Sequence, residues 1–255
     1  MTFRTFALLA SVLVLVTTSA VAQREAALSE LHGLPPGVTL PVQLGRALRS
    51  GKVKVGTQII VKTTQRVPVS ENSYLNAGAE VDGEVVASTL GSGTAATPAT
   101  LSIQFTRLRY GKQSIPVKTK ALAIANFMQV GYTAEPADGG PDMGNWSEAN
   151  WTTKQVGGDT IVRSGWVGPV VGRTLETVGR ADYYGVYSLP AASSDDGVPF
   201  PRAFGVFSTT AAGLYGYGHG CSLRSADGVI TVTGPGKSIE LRNGDNLLLE
   251  IIAST

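Results

Sequence analysis

From residue 39 onward, apolar and polar positions alternate in short runs, the period-two pattern of strands with one face buried. Val42 and Leu44 alternate with polar neighbours, and Val53, Val55, Ile59 and Val61 do so around Gly56. Val67 and Val69 bracket Pro68, which predicts an edge strand, since proline brings no N–H to a ladder. Residues 80–87 (EVDGEVVA) predict a further strand. Leu101, Ile103 and Phe105 begin another, and a turn at Tyr110-Gly111-Lys112 predicts its return over 115–124. Residues 90–100 (LGSGTAATPAT) have the composition of a loop.

Downstream, 134–145 is rich in Gly, Pro and Asp and predicts a linker, and 189–202 predicts a second loop. Strands are expected at 159–163, 168–171 and 183–187, and aromatic-rich strands at 203–208 and 213–217. The tail, 229–252, predicts a three-stranded meander with turns at Gly234-Pro235-Gly236-Lys237 and Asn243-Gly244. Asn-Gly is a strong hairpin signal because both residues tolerate positive φ. Leu247, Leu248, Leu249, Ile251 and Ile252 are nearly continuously apolar, so this strand is expected to be central and covered on both faces.

A short helix is expected over 23–33, where Ala26, Ala27, Leu28 and Leu31 give partial helical spacing and Gly33 is a natural stop. Ahead of it, Arg4, an apolar run from Phe6 to Val16 and Ala20-Val21-Ala22 have the layout of a secretory signal peptide. The run is shorter than the roughly 20 residues a spanning helix needs. The sequence therefore predicts a signal peptide (1–22), a short helix and linker (23–38), a β module (39–132), a linker loop (133–145) and a second β-rich unit (146–255). The expected fold class is all-β: a small barrel- or sandwich-like module, then the second unit, with a short N-terminal helix. An outer-membrane barrel is the rival fold. The want of a terminal aromatic and of aromatic girdles argues against it.

Composition sharpens this. Charged residues are 16%, below the ~25% of ordinary globular chains, and 31 glycines favour turns and strands. A net charge of +2 with no basic cluster argues against a nucleic-acid partner. Cys221 is the only cysteine, so no internal disulfide forms, and it is expected to be buried as a small apolar group. The expected location is periplasmic or extracellular, with no transmembrane segment once the signal is removed.

Pro41-Val42-Gln43-Leu44, Ser50 with Gly56, the segment Leu75-Asn76-Ala77-Gly78-Ala79-Glu80-Val81-Asp82-Gly83-Glu84-Val85 and the strand pair over 101–108 and 115–124 together resemble a β module of uncharacterised secreted bacterial proteins. Asn76-Ala77 stands where that pattern has Pro-x. The glycine-centred step before the strand pair is also distantly similar to the β domain of type IV secretion and conjugation scaffold proteins. Residues from Asn150 onward resemble the tails of other secreted proteins. The resemblance implies a compact β module and brings no catalytic motif.

Candidate chemistry is sparse. His219 and Cys221 could ligate from one strand face, but His32 is remote, and a zinc site needs three or four ligands. Asp195-Asp196-Gly197 and the acids at 138–142 lack calcium-loop spacing. No Gly-x-Ser-x-Gly elbow occurs. Glu80, Asp82 and Glu84 share a strand face and read as its solvated side rather than as a glycosidase pair. No catalytic residue, metal site or cofactor is therefore assigned, and the chain is expected to be non-enzymatic. The aromatics of the second unit are the remaining signal. Trp146, Trp151, Trp166, Tyr215 and Tyr217 are the candidate binding residues, against the alternative that they fill a core. Trp151 is expected to be buried and Trp146 partly exposed. The expected function is a non-catalytic structural or interaction protein of the bacterial cell envelope, with an envelope protein as partner. The alternative is a carbohydrate-binding module or a hydrolase using loop carboxylates, with a glycan as partner.

Overall fold

The computed structural model describes residues 33–137, 150–190 and 199–253. The signal peptide, nearly all of the expected 23–33 helix and Trp146 lie outside these residues. Among the described residues are nineteen strands, β1–β19 in chain order, and a short helix, α1 (Phe127–Tyr132).

A ten-stranded sheet dominates. Its path runs β15 (Gly213–Tyr215), β9 (Thr119–Ala125), β19 (Asn246–Ile251), β1 (Thr39–Leu44), β3 (Gln58–Thr63), β6 (Glu80–Thr89), β7 (Ala99–Tyr110), β17 (Val229–Gly234) and β16 (Ser222–Ala226), with β8 (Gln113–Pro116) paired to β7. The β15–β9 pairing is parallel and the other ladders of this sheet are antiparallel. The sheet coils into a nearly closed barrel. At the seam, the Ser225 hydroxyl accepts from Ala121 N at 3.0 Å and donates to Ala121 O at 3.4 Å, which brings β16 beside β9. Coiling is helped by register shifts in the β6–β7 ladder at Asp82/Gly83 and Val85/Ala87. Gly83 is required there, because a Cβ would stand 2.3 Å from Gln104 O.

Alternation is borne out along β3, β6 and β17, whose buried positions include Ile59, Val61, Val81, Val85, Ile230 and Val232. Phe105 of β7 is the largest fully buried side chain of the described barrel strands. The outer face of β3, β6 and β7 is charged. Glu80 pairs with Lys62 and Arg109, and Asp82 receives two hydrogen bonds from Arg109 at 2.7 and 2.8 Å. Strand β19 is central, as its apolar run predicted. Leu247 and Leu249 pair with Val42 and Leu40, while Leu248 on the other face packs with Phe204 and Phe207.

A second sheet has five strands in meander order: β10 (Asn150–Lys154), β11 (Thr160–Ser164), β12 (Gly168–Val171), β13 (Thr177–Asp182) and β14 (Gly185–Ser188). Its small core is Ile161, Val170, Ala181 and Val186. It is inserted between barrel strands, since β15, β16, β17 and β19 return to the first sheet. The tail of the chain thus completes the barrel begun at Thr39. Two further pairs, β2 (Leu48–Arg49) with β18 (Glu240–Leu241) and β4 (Val67–Pro68) with β5 (Tyr74–Leu75), cap the turns.

Several local expectations are corrected. Val53 and Val55 lie in turns, with Val55 exposed, because Gly51 and Gly56 take positive φ and Val53 N bonds back to Arg49 O. The returning strand over 115–124 breaks at Val117-Lys118. Its first half stays with β7 and its second half crosses to β19. The tail is no meander: β17, β18 and β19 pair with β7 and β16, with β2, and with β1 and β9. The Asn243-Gly244 turn is held by the Asp245 carboxylate, which accepts from Arg242 N at 2.7 Å and turns the chain away from a hairpin. Residues 203–208 form no strand and make isolated bridges from Ala203 to Tyr187 and from Phe207 to Val156.

Candidate functional site

Antiparallel order places the β11–β12 and β13–β14 hairpins, and the start of β10, at one end of the inserted sheet. Aromatic residues collect there. Trp151, the second residue of β10, lies opposite Arg163 in register. Its indole N–H donates to Gly165 O at 2.9 Å, and it is 7% exposed. Trp166, at the tip of the β11–β12 hairpin, meets it edge-to-face with ring centres 6.0 Å apart and is 43% exposed. Tyr183 and Tyr184, at the tip of the β13–β14 hairpin, are 74% and 54% exposed.

The two tips border a cavity of about 430 Å³. It is lined by the Trp151–Arg163–Trp166 group, by residues 182–186, by Thr64 and Gln65 from the barrel, and by Gly205 and Val206. Gln65, 6% exposed, ties these parts together. Its Oε1 accepts from Val186 N and Gly205 N, and its Nε2 donates to Val186 O. Gly185 makes this approach possible: its φ is +150°, and a Cβ would stand 2.4 Å from the Gln65 amide carbon. Gln155 reinforces the same region by donating to Gly205 O at 3.0 Å.

Two guanidinium groups stiffen the rings. Arg66 lies between Tyr74 and Tyr184, 4.1 and 3.4 Å from the ring centres. Arg163 lies 5.0 Å from the Trp151 ring centre and donates from Nη1 to Trp166 O at 2.8 Å. The Arg163 Nε is buried and has no hydrogen-bond partner. Burial pushes the Arg163 pKa below the ordinary arginine value. Asp182 is the one carboxylate lining the cavity among the described residues, and it is engaged. It accepts from Tyr184 N at 2.8 Å and pairs with Arg180 at 3.2 Å.

Of the candidate binding residues, the structure brings Trp151 and Trp166 together. Trp146 lies outside the described residues. Tyr215 packs against the Phe204–Phe207 cluster, with its hydroxyl accepting from Ala212 N. Tyr217 donates to Asp245 at 2.8 Å, and burial, then the Asp245 charge, raise its pKa above the tyrosine value. Asp245 is fully buried and also accepts from Phe127 N at 2.8 Å, so this trio fastens α1 and the 242–245 turn to the barrel.

A second cavity, about 540 Å³, lies beside that latch and is lined by Tyr217, His219, Cys221, Arg49 and Arg242 among others. Cys221 is half-buried, and burial pushes its thiol pKa up, away from a nucleophilic thiolate. No group of three or more His, Cys, Asp and Glu residues able to hold a metal occurs among the described residues. No helix among them is long and apolar enough to cross a membrane.

Sequence reasoning missed Arg163, Asp182, Gln65 and the placing of Tyr183 and Tyr184. The last two carried a signal. The flanking Asp182 and Gly185 are turn residues, so the strand expected over 183–187 begins only at Gly185 and both rings stand exposed at the turn. Arg163 had none, because it meets Trp151 only through strand register. Compared with known proteins, the chain matches no family model, no curated protein and no solved structure.

Proposed function

We propose that this chain is a non-catalytic interaction protein of the bacterial cell envelope that binds a glycan in the aromatic groove of its inserted sheet. The observation that carries this reading is the convergence of exposed Trp166, Tyr183 and Tyr184 on one concave surface. Aromatic faces stack on the C–H faces of sugar rings, and exposed rings held in a groove are otherwise costly. Gln65, Gln155 and Asp182 border the groove, and their polar groups hold the backbone of Val186, Gly205 and Tyr184.

A hydrolase reading is less well supported. Glycosidases place two carboxylates about 5–10 Å apart across the scissile bond. Asp182 is the sole carboxylate lining the groove among the described residues, and Glu80 and Asp82 are bound up in ion pairs on the barrel face. The charged outer face of β3, β6 and β7 also suits water better than lipid, in keeping with a secreted protein. The barrel is then the scaffold and the inserted sheet the binding element.

The reading is tested by screening purified protein on an array of bacterial and plant oligosaccharides. Binding that falls with Trp166→Ala supports it. Retention of the protein by crosslinked envelope proteins, with no glycan bound on the array, would favour a protein partner instead.

A further inference from the structure

The groove also carries a charge that no described residue neutralises. Arg163 lines the cavity, its Nε is desolvated without a partner, and no described carboxylate lies within ion-pair distance of it. The neighbouring Asp182 is matched by Arg180 and by Tyr184 N–H, so its charge is spent. The Trp151 ring and the Trp166 carbonyl compensate the partly buried guanidinium in part, and a hydrogen-bonded anion would restore more of the hydration it has lost. One of its nitrogens, Nη1, is fixed on Trp166 O, which ties the cation to the exposed indole. A ligand stacked on Trp166 therefore brings its substituents next to Arg163.

Resting on the glycan reading above, we propose that the groove selects a glycan bearing a sugar carboxylate, with Arg163 binding the carboxylate while Trp166 and Tyr184 hold the ring faces. Guanidinium is the side chain best suited to a planar carboxylate, since its parallel N–H groups match the two oxygens. Two sources share this chemistry: uronic acids, and the lactyl carboxylate of muramic-acid glycan strands. Arg163 would recognise the carboxylate whichever of these sugars carries it.

The test titrates the purified protein by calorimetry with four probes. These are an oligogalacturonate, its methyl ester, peptidoglycan glycan strands freed of stem peptides, and the same strands with their carboxyls methylated. At least one free acid is expected to bind roughly tenfold or more tightly than its own ester, the size of a charge-assisted hydrogen bond. Preference for one acid over the other identifies the source. In Arg163→Gln the acid and ester should bind alike, Arg163→Lys should recover part of the difference, and Arg224→Gln, which removes an exposed barrel cation outside the groove lining, should keep it. The comparison of acid with ester on the unaltered protein stands even if Arg163→Gln fails to fold. Equal binding of acid and ester would overturn the carboxylate proposal and leave glycan binding intact. Failure of all four probes, together with an empty oligosaccharide array, would overturn both.

Discussion

The side-chain amide of Gln65 pairs with the backbone of Val186 on both sides, accepting from its N–H at 2.9 Å and donating to its C=O at 3.0 Å. A side chain from the barrel thus takes the place of a strand neighbour for the β13–β14 hairpin. It also accepts from Gly205 N at 3.0 Å, so three separate chain segments meet at one amide.

Replacing Gln65 by Ala should therefore cost about 2–4 kcal/mol, because several backbone groups lose their partner in a buried site. Chemical unfolding followed by tryptophan fluorescence would measure it. Gln65→Glu should also destabilise, since a carboxylate cannot donate to Val186 O. A loss below about 0.5 kcal/mol in both variants would show that the hairpin is held by other contacts.

The two neighbouring indoles should behave differently. Trp151 is buried and hydrogen-bonded, so Trp151→Ala should cost about 3–5 kcal/mol. Trp166 is much more exposed, and Trp166→Ala should cost about 1 kcal/mol or less, chiefly through the lost edge-to-face contact. Thermal melts of the two variants compare them directly, and equal destabilisation would contradict the division of labour between them.

Tyr187 and Tyr217 predict an alkaline weakness. Burial is the first cause of the raised pKa in each, with the charges of Asp182 and Asp245 adding to it. The folded state therefore keeps these protons at a pH where the unfolded chain has released them. Stability should be unaffected by these groups below pH 10, the ordinary tyrosine value, and should fall as pH rises above it. Tyrosinate absorbance should show both residues ionising only with unfolding. Tyr217→Phe should flatten the slope while weakening the fold through the lost bond to Asp245. A flat stability profile from pH 9 to 11 would count against the burial of these hydroxyls.

Much of the barrel was legible in the chain, because β3, β6 and β17 bury alternate residues. The centrality of β19 followed from its nearly continuous apolar run, broken only at Glu250. Partners were not legible. A strand's pattern states which face is buried and leaves its neighbour unspecified, so the tail looked like a local meander while its strands pair with β1, β2, β7 and β9. The groove was half legible for the same reason. Its aromatics stand out by type, but the Trp151–Arg163 pairing and the Gln65–Val186 bridge depend on register and on contacts across the fold.

Glycan binding in the groove is tested most directly by titrating array-identified oligosaccharide into the unaltered protein, Trp166→Ala, Tyr184→Ala and Val55→Ala. Val55 is exposed on a barrel turn away from the groove lining and serves as the control. Groove binding predicts a loss of about tenfold in affinity for Trp166→Ala and a smaller loss for Tyr184→Ala, with melting temperatures nearly unchanged and Val55→Ala binding as before. Undiminished affinity in both groove variants would place the ligand elsewhere and contradict the assignment.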